Sequence, residues 1–267
     1  MNIKKKAYVL EELTLLYVTV DGVMSFTVVP TALADKVKDK KFERNKPMVQ
    51  VALLGDVGER EYFSGNCMQN GSSCFEFSYA DQKVYEREDG TEIVTVFKNG
   101  KGQTFEHHVT KPHGVNALAL HNVLINDGAD ITVEMIASAS IGAITPFREQ
   151  NDADFLKTYR MKSCWSGEGR LNVIPATDLQ LEDAWSSYGI RQDRIGQVGS
   201  MPCRKYMPFY AVEDIENACV WAMSIEAPMS WQIDAVHHLG AISLTGGIAD
   251  FSSGHFRINL KKGELFT

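Results

Sequence analysis

The sequence predicts an all-β chain: a large antiparallel sandwich of two packed sheets with few or no long helices. Three observations predict it. Turn-forming dipeptides punctuate the first half, at Asp21-Gly22, Asn70-Gly71, Asp89-Gly90, Asn99-Gly100 and Asp127-Gly128, and such pairs tolerate the positive φ of tight hairpins. Runs rich in β-branched residues, each of strand length, lie among them. No segment sustains apolar residues at i, i+3, i+4 and i+7 over three helical turns.

Taken in order, Thr14 to Val20 and Ser25 to Val29 are β-rich runs separated by the Asp21-Gly22 turn, which reads as a hairpin. Asp35 to Lys46 is dense in charge and reads as a solvated loop. Thr91 to Lys98 is β-branched almost throughout, between two turn signals. Ile131 to Met135 alternates apolar and polar, as a half-buried strand should. Asp152 to Leu156 is read as the opening of a short helix. Strands every ~8–12 residues with turns between them fit a sandwich of one domain, or of two packed lobes. No repeat or low-complexity tract interrupts the chain.

Composition bounds the function. The chain has 267 residues, enough to bury roughly 70–75% of its unfolded surface without disulfides or metals. Its 44% hydrophobic and 23% charged residues are ordinary globular values. With 27 basic against 34 acidic side chains, a net charge of −7 argues against a nucleic-acid or anionic-membrane partner. Cys67, Cys74, Cys164, Cys203 and Cys219 contain no CxxC pair, so neither a zinc ribbon nor a disulfide framework is indicated. The apolar stretch near the start ends at Glu11-Glu12, too short for a signal-peptide core. Uncharged runs such as Met135 to Phe147 fall short of the ~18 apolar residues of a membrane helix. A soluble cytoplasmic protein is expected.

Generic catalytic patterns are sparse. There is no GxSxG elbow, and Ser163 and Ser166 flank Cys164-Trp165 without a histidine nearby in sequence. They read as turn and strand residues, although a Cys–His pair would be a spatial rather than a sequential neighbourhood. The histidines fall as His107-His108, His237-His238, His113, His121 and His255. Adjacent strand residues face opposite ways, so each doublet offers at most one ligand to a site. A metal centre would need several of them to converge, and ordinary core or surface histidines are the simpler reading. Gly246-Gly247 and Gly167-Glu168-Gly169 lack the Lys-Ser/Thr of a phosphate loop. Carboxylate pairs such as Glu182-Asp183 and Glu213-Asp214 read as exposed charges, because a glycosidase pair is defined by separation in space. Trp165, Trp185, Trp221 and Trp231 gather in the second half. Aromatic faces stack on sugar rings, but they are also the largest core fillers of a sandwich.

One stretch is more specific. Met161-Lys162-Ser163-Cys164-Trp165-Ser166-Gly167-Glu168-Gly169-Arg170-Leu171 resembles the "S-x-W-S-x-E-G-R-L" segment in the amino-terminal domain of glycoside hydrolase family 36, the bacterial α-galactosidases. Further segments follow in the family's order: Trp185 to Gly189, Gly196 to Ser200, Pro208 to Asp214, Ser230-Trp231-Gln232, Thr245 to Asp250 and Leu260 to Phe266. Asn122, Val133-Glu134-Met135 and Ile144 to Phe147 fit more loosely. The match is good over 117–267 and weak over the first hundred residues. Departures at Cys164, Gly167 and His255 bear on subfamily and sugar preference rather than on fold.

The resemblance implies that 1–267 is an amino-terminal β-supersandwich. In that family a (β/α)₈ barrel follows, whose two aspartates act as nucleophile and general acid/base in a retaining mechanism. No strand–helix repeat of roughly 250 residues exists here to build the barrel, so no catalytic residue is assigned in this chain. The barrel is expected downstream in the same polypeptide, and the chain alone is expected to fold without cleaving aryl α-galactosides. Its expected work is barrel packing, homo-oligomer assembly in the full-length protein, and lending loops to the substrate-pocket rim. Sugar-contact or interface candidates are Trp165, Glu168, Arg170, Trp185 and Trp231. Galactosides are candidate ligands; no metal or cofactor is expected. One rival reading is a stand-alone carbohydrate-binding module with Trp165 or Trp185 as platform. Another is an all-β metal enzyme built on the histidines.

Overall fold

The computed structural model describes residues 3–38, 40, 46–56, 67–147, 153–182, 190–226, 229–238 and 241–267. Strands β1 (Ile3–Leu10), β2 (Leu13–Val20) and β3 (Val23–Pro30) form a meander. β4 (Val51–Leu53) precedes four long strands, β5 (Ser78–Arg87), β6 (Gly90–Lys98), β7 (Gln103–Pro112) and β8 (Ala119–Asn126), which pair in sequence. Next come β9 (Ile131–Ile136), β10 (Ala139–Ile144), β11 (Leu156–Lys162), β12 (Arg170–Pro175), β13 (Arg191–Gln197), β14 (Tyr206–Asp214) and β15 (Cys219–Ser224). β16 (Trp231–His238), β17 (Ala241–Ile248), β18 (Ile258–Leu260) and β19 (Glu264–Phe266) complete the order.

The all-β sandwich is therefore present, assembled from five ladders in which every pairing among the described residues is antiparallel. Besides the β1–β3 meander, they run β19-β8-β7-β6-β5, β18-β9-β4, β10-β17-β16-β13 and β12-β11-β14-β15. Among the described residues helix is limited to short 3₁₀ turns, the longest Thr31–Val37, and one α-helical turn, α1 (Phe251–Gly254), capped by Asp250. One contiguous core draws on all five ladders, with Tyr17 and Phe26 from the meander, Phe97 and Phe105 from the five-stranded ladder, and Tyr210 and Trp231 from the last two. The Trp221 indole N–H donates to the Val28 carbonyl at 2.7 Å and stitches β15 to β3.

Turn chemistry explains part of this. Asp21 and Gly22 both have positive φ, 47° and 91°, which is the tight two-residue hairpin that the dipeptide predicts. Gly90 plays a different role: a Cβ there would lie 2.3 Å from the Lys111 carbonyl oxygen, so its lack of a side chain lets β6 and β7 meet. Asp152 lies outside the described residues, and the helix expected from it is a single 3₁₀ turn, Ala153–Phe155, feeding β11.

The charged segment is a correction. Residues 39 and 41–45 are outside the described set; Asp35, Lys36 and Lys38 are exposed as expected, but the segment begins in a 3₁₀ turn rather than a loop and its far end, Lys46, turns inward. Thr31–Val37 is a 3₁₀ turn with Val37 buried, and Lys36 Nζ donates to Asn217 Oδ1 at 2.7 Å. Lys46 sends its ammonium inward to Gln69, Ser243 and Thr245. Local charge density does not reveal that the hydroxyls and amide able to receive this ammonium lie far along the chain.

His107 on β7 is fully buried, its ring 5.4 Å from that of Phe26, and among the described residues neither ring nitrogen has a hydrogen-bond partner. Burial, helped by His108 and His121, drives its pKa from the usual 6.5 down to about 3. The unfolded chain therefore takes up this proton first, and stability falls as pH drops from about 6.5 toward 3. His107→Phe is expected to stabilise the fold, since an unsatisfied buried polar group costs about 1–3 kcal/mol, and to flatten this acid loss. Urea midpoints at pH 7.5 and 4.5 check it; parallel pH dependences in the two proteins would refute it.

Candidate functional site

The segment singled out by its sequence forms the β11–β12 hairpin loop, residues 163–169. Cys164 to Gly167 make a tight turn in which the Gly167 N–H donates to the Cys164 carbonyl at 2.9 Å, with Ser166 at φ 61°. Glu168 folds back to accept the Ser166 N–H at 3.0 Å, so this carboxylate shapes the turn. The geometry leaves Trp165 at the tip, 93% exposed, an unusual position for the largest apolar side chain. Arg170 starts β12 beside it, and the exposed Leu171 and Val173 continue along this edge strand.

An open cavity of about 590 Å³ lies against the loop, lined by Lys162, Ser163, Cys164, Gly167, Arg170, Gln197, Arg204 and Lys205. The Ser163 N–H donates to the Lys205 carbonyl at 2.9 Å and ties the hairpin to the turn before β14. Elsewhere on the same strands, Asp193 on β13 receives the Tyr210 hydroxyl at 2.8 Å and a nitrogen of the buried Arg160. Burial, then the Asp193 charge, pushes the Tyr210 pKa upward, so its hydroxyl stays protonated and donates.

Of the candidates named from sequence, the structure brings together Trp165, Glu168 and Arg170. Trp185 lies outside the described residues. Trp231 is corrected as a surface contact: it is 0% exposed, and its indole N–H donates to the Pro202 carbonyl at 2.6 Å. It opens β16, and that strand's odd positions Trp231, Ile233, Ala235 and His237 all face the core. Arg204 and Lys205 were missed because their place beside the hairpin is set by non-local pairing, Lys162 of β11 opposite Tyr206 of β14 and the Ser163–Lys205 backbone bond.

A second polar constellation occupies the opposite face of the β10-β17-β16-β13 ladder. Register aligns Arg194, Asp234, Thr245 and Ser140 in one cross-strand row. Asp234 accepts Arg194 Nε at 2.6 Å, Gln192 Nε2 at 2.7 Å and Gln69 Nε2 at 2.8 Å. Asp250, also fully buried, accepts Gln232 Nε2 at 2.9 Å and caps α1. Burial opposes the charge on Arg194, yet the charge and hydrogen bonds of Asp234, with Asp250, leave its pKa above the ordinary value. Burial pushes the Lys46 amine down to about 8 despite Cys67 and Asp234 nearby. The donors and acceptors in this row are directed at one another, which makes it a structural core of polar groups.

Most of the remaining histidines and thiols are inward-facing or locally paired, Cys164 and Cys203 being the exposed thiols. His108 stacks on His121 with ring centres 4.4 Å apart and meets Glu92 Oε1 at 3.0 Å, while His107 points to the other side. Among the described residues no three His, Cys, Asp or Glu side chains are grouped to hold a metal. Burial raises the thiols of Cys67 and Cys219 to about 11 and that of Cys74 to about 12, the reverse of an activated nucleophile.

No protein-family model matches the chain, and no curated protein does. Solved structures do share its fold. One is the GH36 alpha-galactosidase AgaA from Geobacillus stearothermophilus, with a TM-score of 0.65 at 14% identity. Another is a variant of that enzyme in complex with 1-deoxygalactonojirimycin, with a TM-score of 0.66 at 15% identity. Each match covers 98% of this chain and 39% of that chain. The likeness is one of fold, and this chain spans well under half the length of the proteins it matches.

Proposed function

We propose that this chain is the non-catalytic β-sandwich domain of an α-galactosidase-like glycoside hydrolase. It packs against a (β/α)₈ catalytic barrel of the same polypeptide, contributes to a homo-oligomer, and lends the 163–170 hairpin to the rim of the substrate pocket. The parent enzyme hydrolyses terminal α-galactosides with retention. The observation that carries this reading is the pair of coverages: nearly the whole chain matches, but to only 39% of AgaA. The sequence segments from Ser163 to Leu171 and Thr245 to Asp250 support it independently of fold. Leu171 and Val173, exposed two residues apart on the edge strand β12, are the kind of apolar surface that a neighbouring domain covers.

The test is twofold. The purified chain is expected to unfold cooperatively and to release no aryl group from aryl α-galactosides above a mock-purified blank; turnover that co-purifies with the chain would overturn the non-catalytic reading. Reading the source gene past the Thr267 codon is expected to show an open frame running into strand–helix repeats. A stop codon there would remove the parent-enzyme reading and favour a stand-alone carbohydrate-binding module, for which the exposure of Trp165 is the supporting observation.

A further inference from the structure

The cavity beside the hairpin is lined by four cations, Lys162, Arg170, Arg204 and Lys205, and by no carboxylate. In a chain with net charge −7 this is a local inversion of sign. The arginines sharpen it. Seven arginines are described, and five have side-chain acceptors: Arg87 with Glu92, Arg160 with Asp193, Arg191 with Gln180, Arg194 with Asp234 and Arg257 with Glu134. Among the described residues Arg170 and Arg204 have no ion pair or side-chain hydrogen bond, and both line this cavity. Lys162 is likewise unpaired there, and the Lys205 ammonium lies 5.5 Å from the Tyr206 ring centre.

Bringing like charges together without a counter-charge is unfavourable, so a cluster of unpaired cations creates a positive potential that an anion relieves. The frame holding them is built. Lys162 and Arg170 end and begin the paired strands β11 and β12, and the Ser163–Lys205 backbone bond fixes the other wall. Arg170 lies over the turn: a Cβ on Gly167 would be in ordinary contact with its Nε and Nη2, at 3.4 and 3.5 Å. Planar guanidinium groups match phosphate and carboxylate oxygens in a bidentate fork. The volume lies within the ~300–1,000 Å³ of small-molecule sites. Trp165 does not line the cavity itself but follows the lining residue Cys164 in the same turn, its side chain 93% exposed at the loop tip.

We propose that this cavity binds a hexose bearing an anionic substituent, a phosphate or a carboxylate. The anion is held by Arg170 and Arg204, and the sugar ring lies on Trp165. Recognition of the anion rests on charge and geometry in this chain alone, whereas the choice of a galactose-type sugar rests on the galactosidase reading; inorganic phosphate binding separates the two.

Calorimetric titration of the whole chain, followed in parallel by tryptophan emission, tests it. The probes are galactose 6-phosphate, galacturonate, galactose and inorganic phosphate. At least one anionic hexose is expected to bind about tenfold or more tighter than galactose, and to weaken as salt rises from about 0.05 to about 0.5 M. Whichever of the two binds identifies the anion as phosphate or carboxylate. Arg170→Ala and Arg204→Ala should each lose about tenfold in affinity, and Trp165→Ala should abolish the emission change. All three side chains are exposed, so circular dichroism should show the variants folded. Galactose binding as tightly as the charged hexoses, no binding of either charged hexose, or inorganic phosphate matching galactose 6-phosphate would each overturn the proposal.

Discussion

Asp234→Ala is expected to remove about 3–5 kcal/mol of unfolding free energy, the usual cost of stripping one partner from a buried ion pair. Asp234 is 0% exposed and accepts hydrogen bonds from Gln192, Arg194 and Gln69. Its loss leaves the Arg194 guanidinium beside Asp250 alone, at 3.5 Å, and strips a counter-charge from the buried Lys46 ammonium. The amides of Gln69 and Gln192 lose their acceptors too. The pair itself does not account for the full loss, since desolvating two charges offsets most of their attraction. A double replacement, Asp234→Leu with Arg194→Met, should therefore be less damaging than Asp234→Ala alone. Urea unfolding of the three proteins checks both statements. A single-variant loss under about 1 kcal/mol would mean that water reaches the row.

The polar row also marks what sequence reading reaches and what it does not. β2, β3, β6 and β9 were legible because their signals are local: β-branched runs, period-two alternation, and a dipeptide free to take positive φ at Asp21-Gly22. Which ladder each strand joins was not, because pairings such as Ala139 with Gly246 join residues more than a hundred positions apart. Likewise Arg194, Asp234, Thr245 and Ser140 become one row only through register, and Lys46 enters it from a segment whose charge reads as solvent-facing. The hairpin site was half legible. Trp165, Glu168 and Arg170 are contiguous in sequence, whereas Arg204 and Lys205 reach the same cavity across the fold. The signal available was the pair of adjacent cations just before a strand, too common a pattern to single out.

Trp231→Ala is expected to cost about 3–5 kcal/mol, the range for truncating a buried large aromatic side chain. The ring is fully buried in β16, which is flanked on both sides by paired strands, so little can collapse into the space it leaves. Part of the loss is polar: without the indole N–H, the Pro202 carbonyl gives up its 2.6 Å hydrogen bond. Trp231→Phe separates the two contributions, keeping most of the packing and losing the donor. That donor also has a consequence at the surface. Pro202 lies just before Arg204 and Lys205, so the indole pins the turn that carries one wall of the cationic cavity. Trp231→Phe should therefore loosen the turn and weaken anion binding while the fold survives. Trp165→Ala, by contrast, should leave stability within about 0.5 kcal/mol, as for an exposed side chain. Thermal and urea unfolding of the three variants distinguishes the two rings. A Trp231→Ala midpoint equal to that of the parent chain would refute the core assignment.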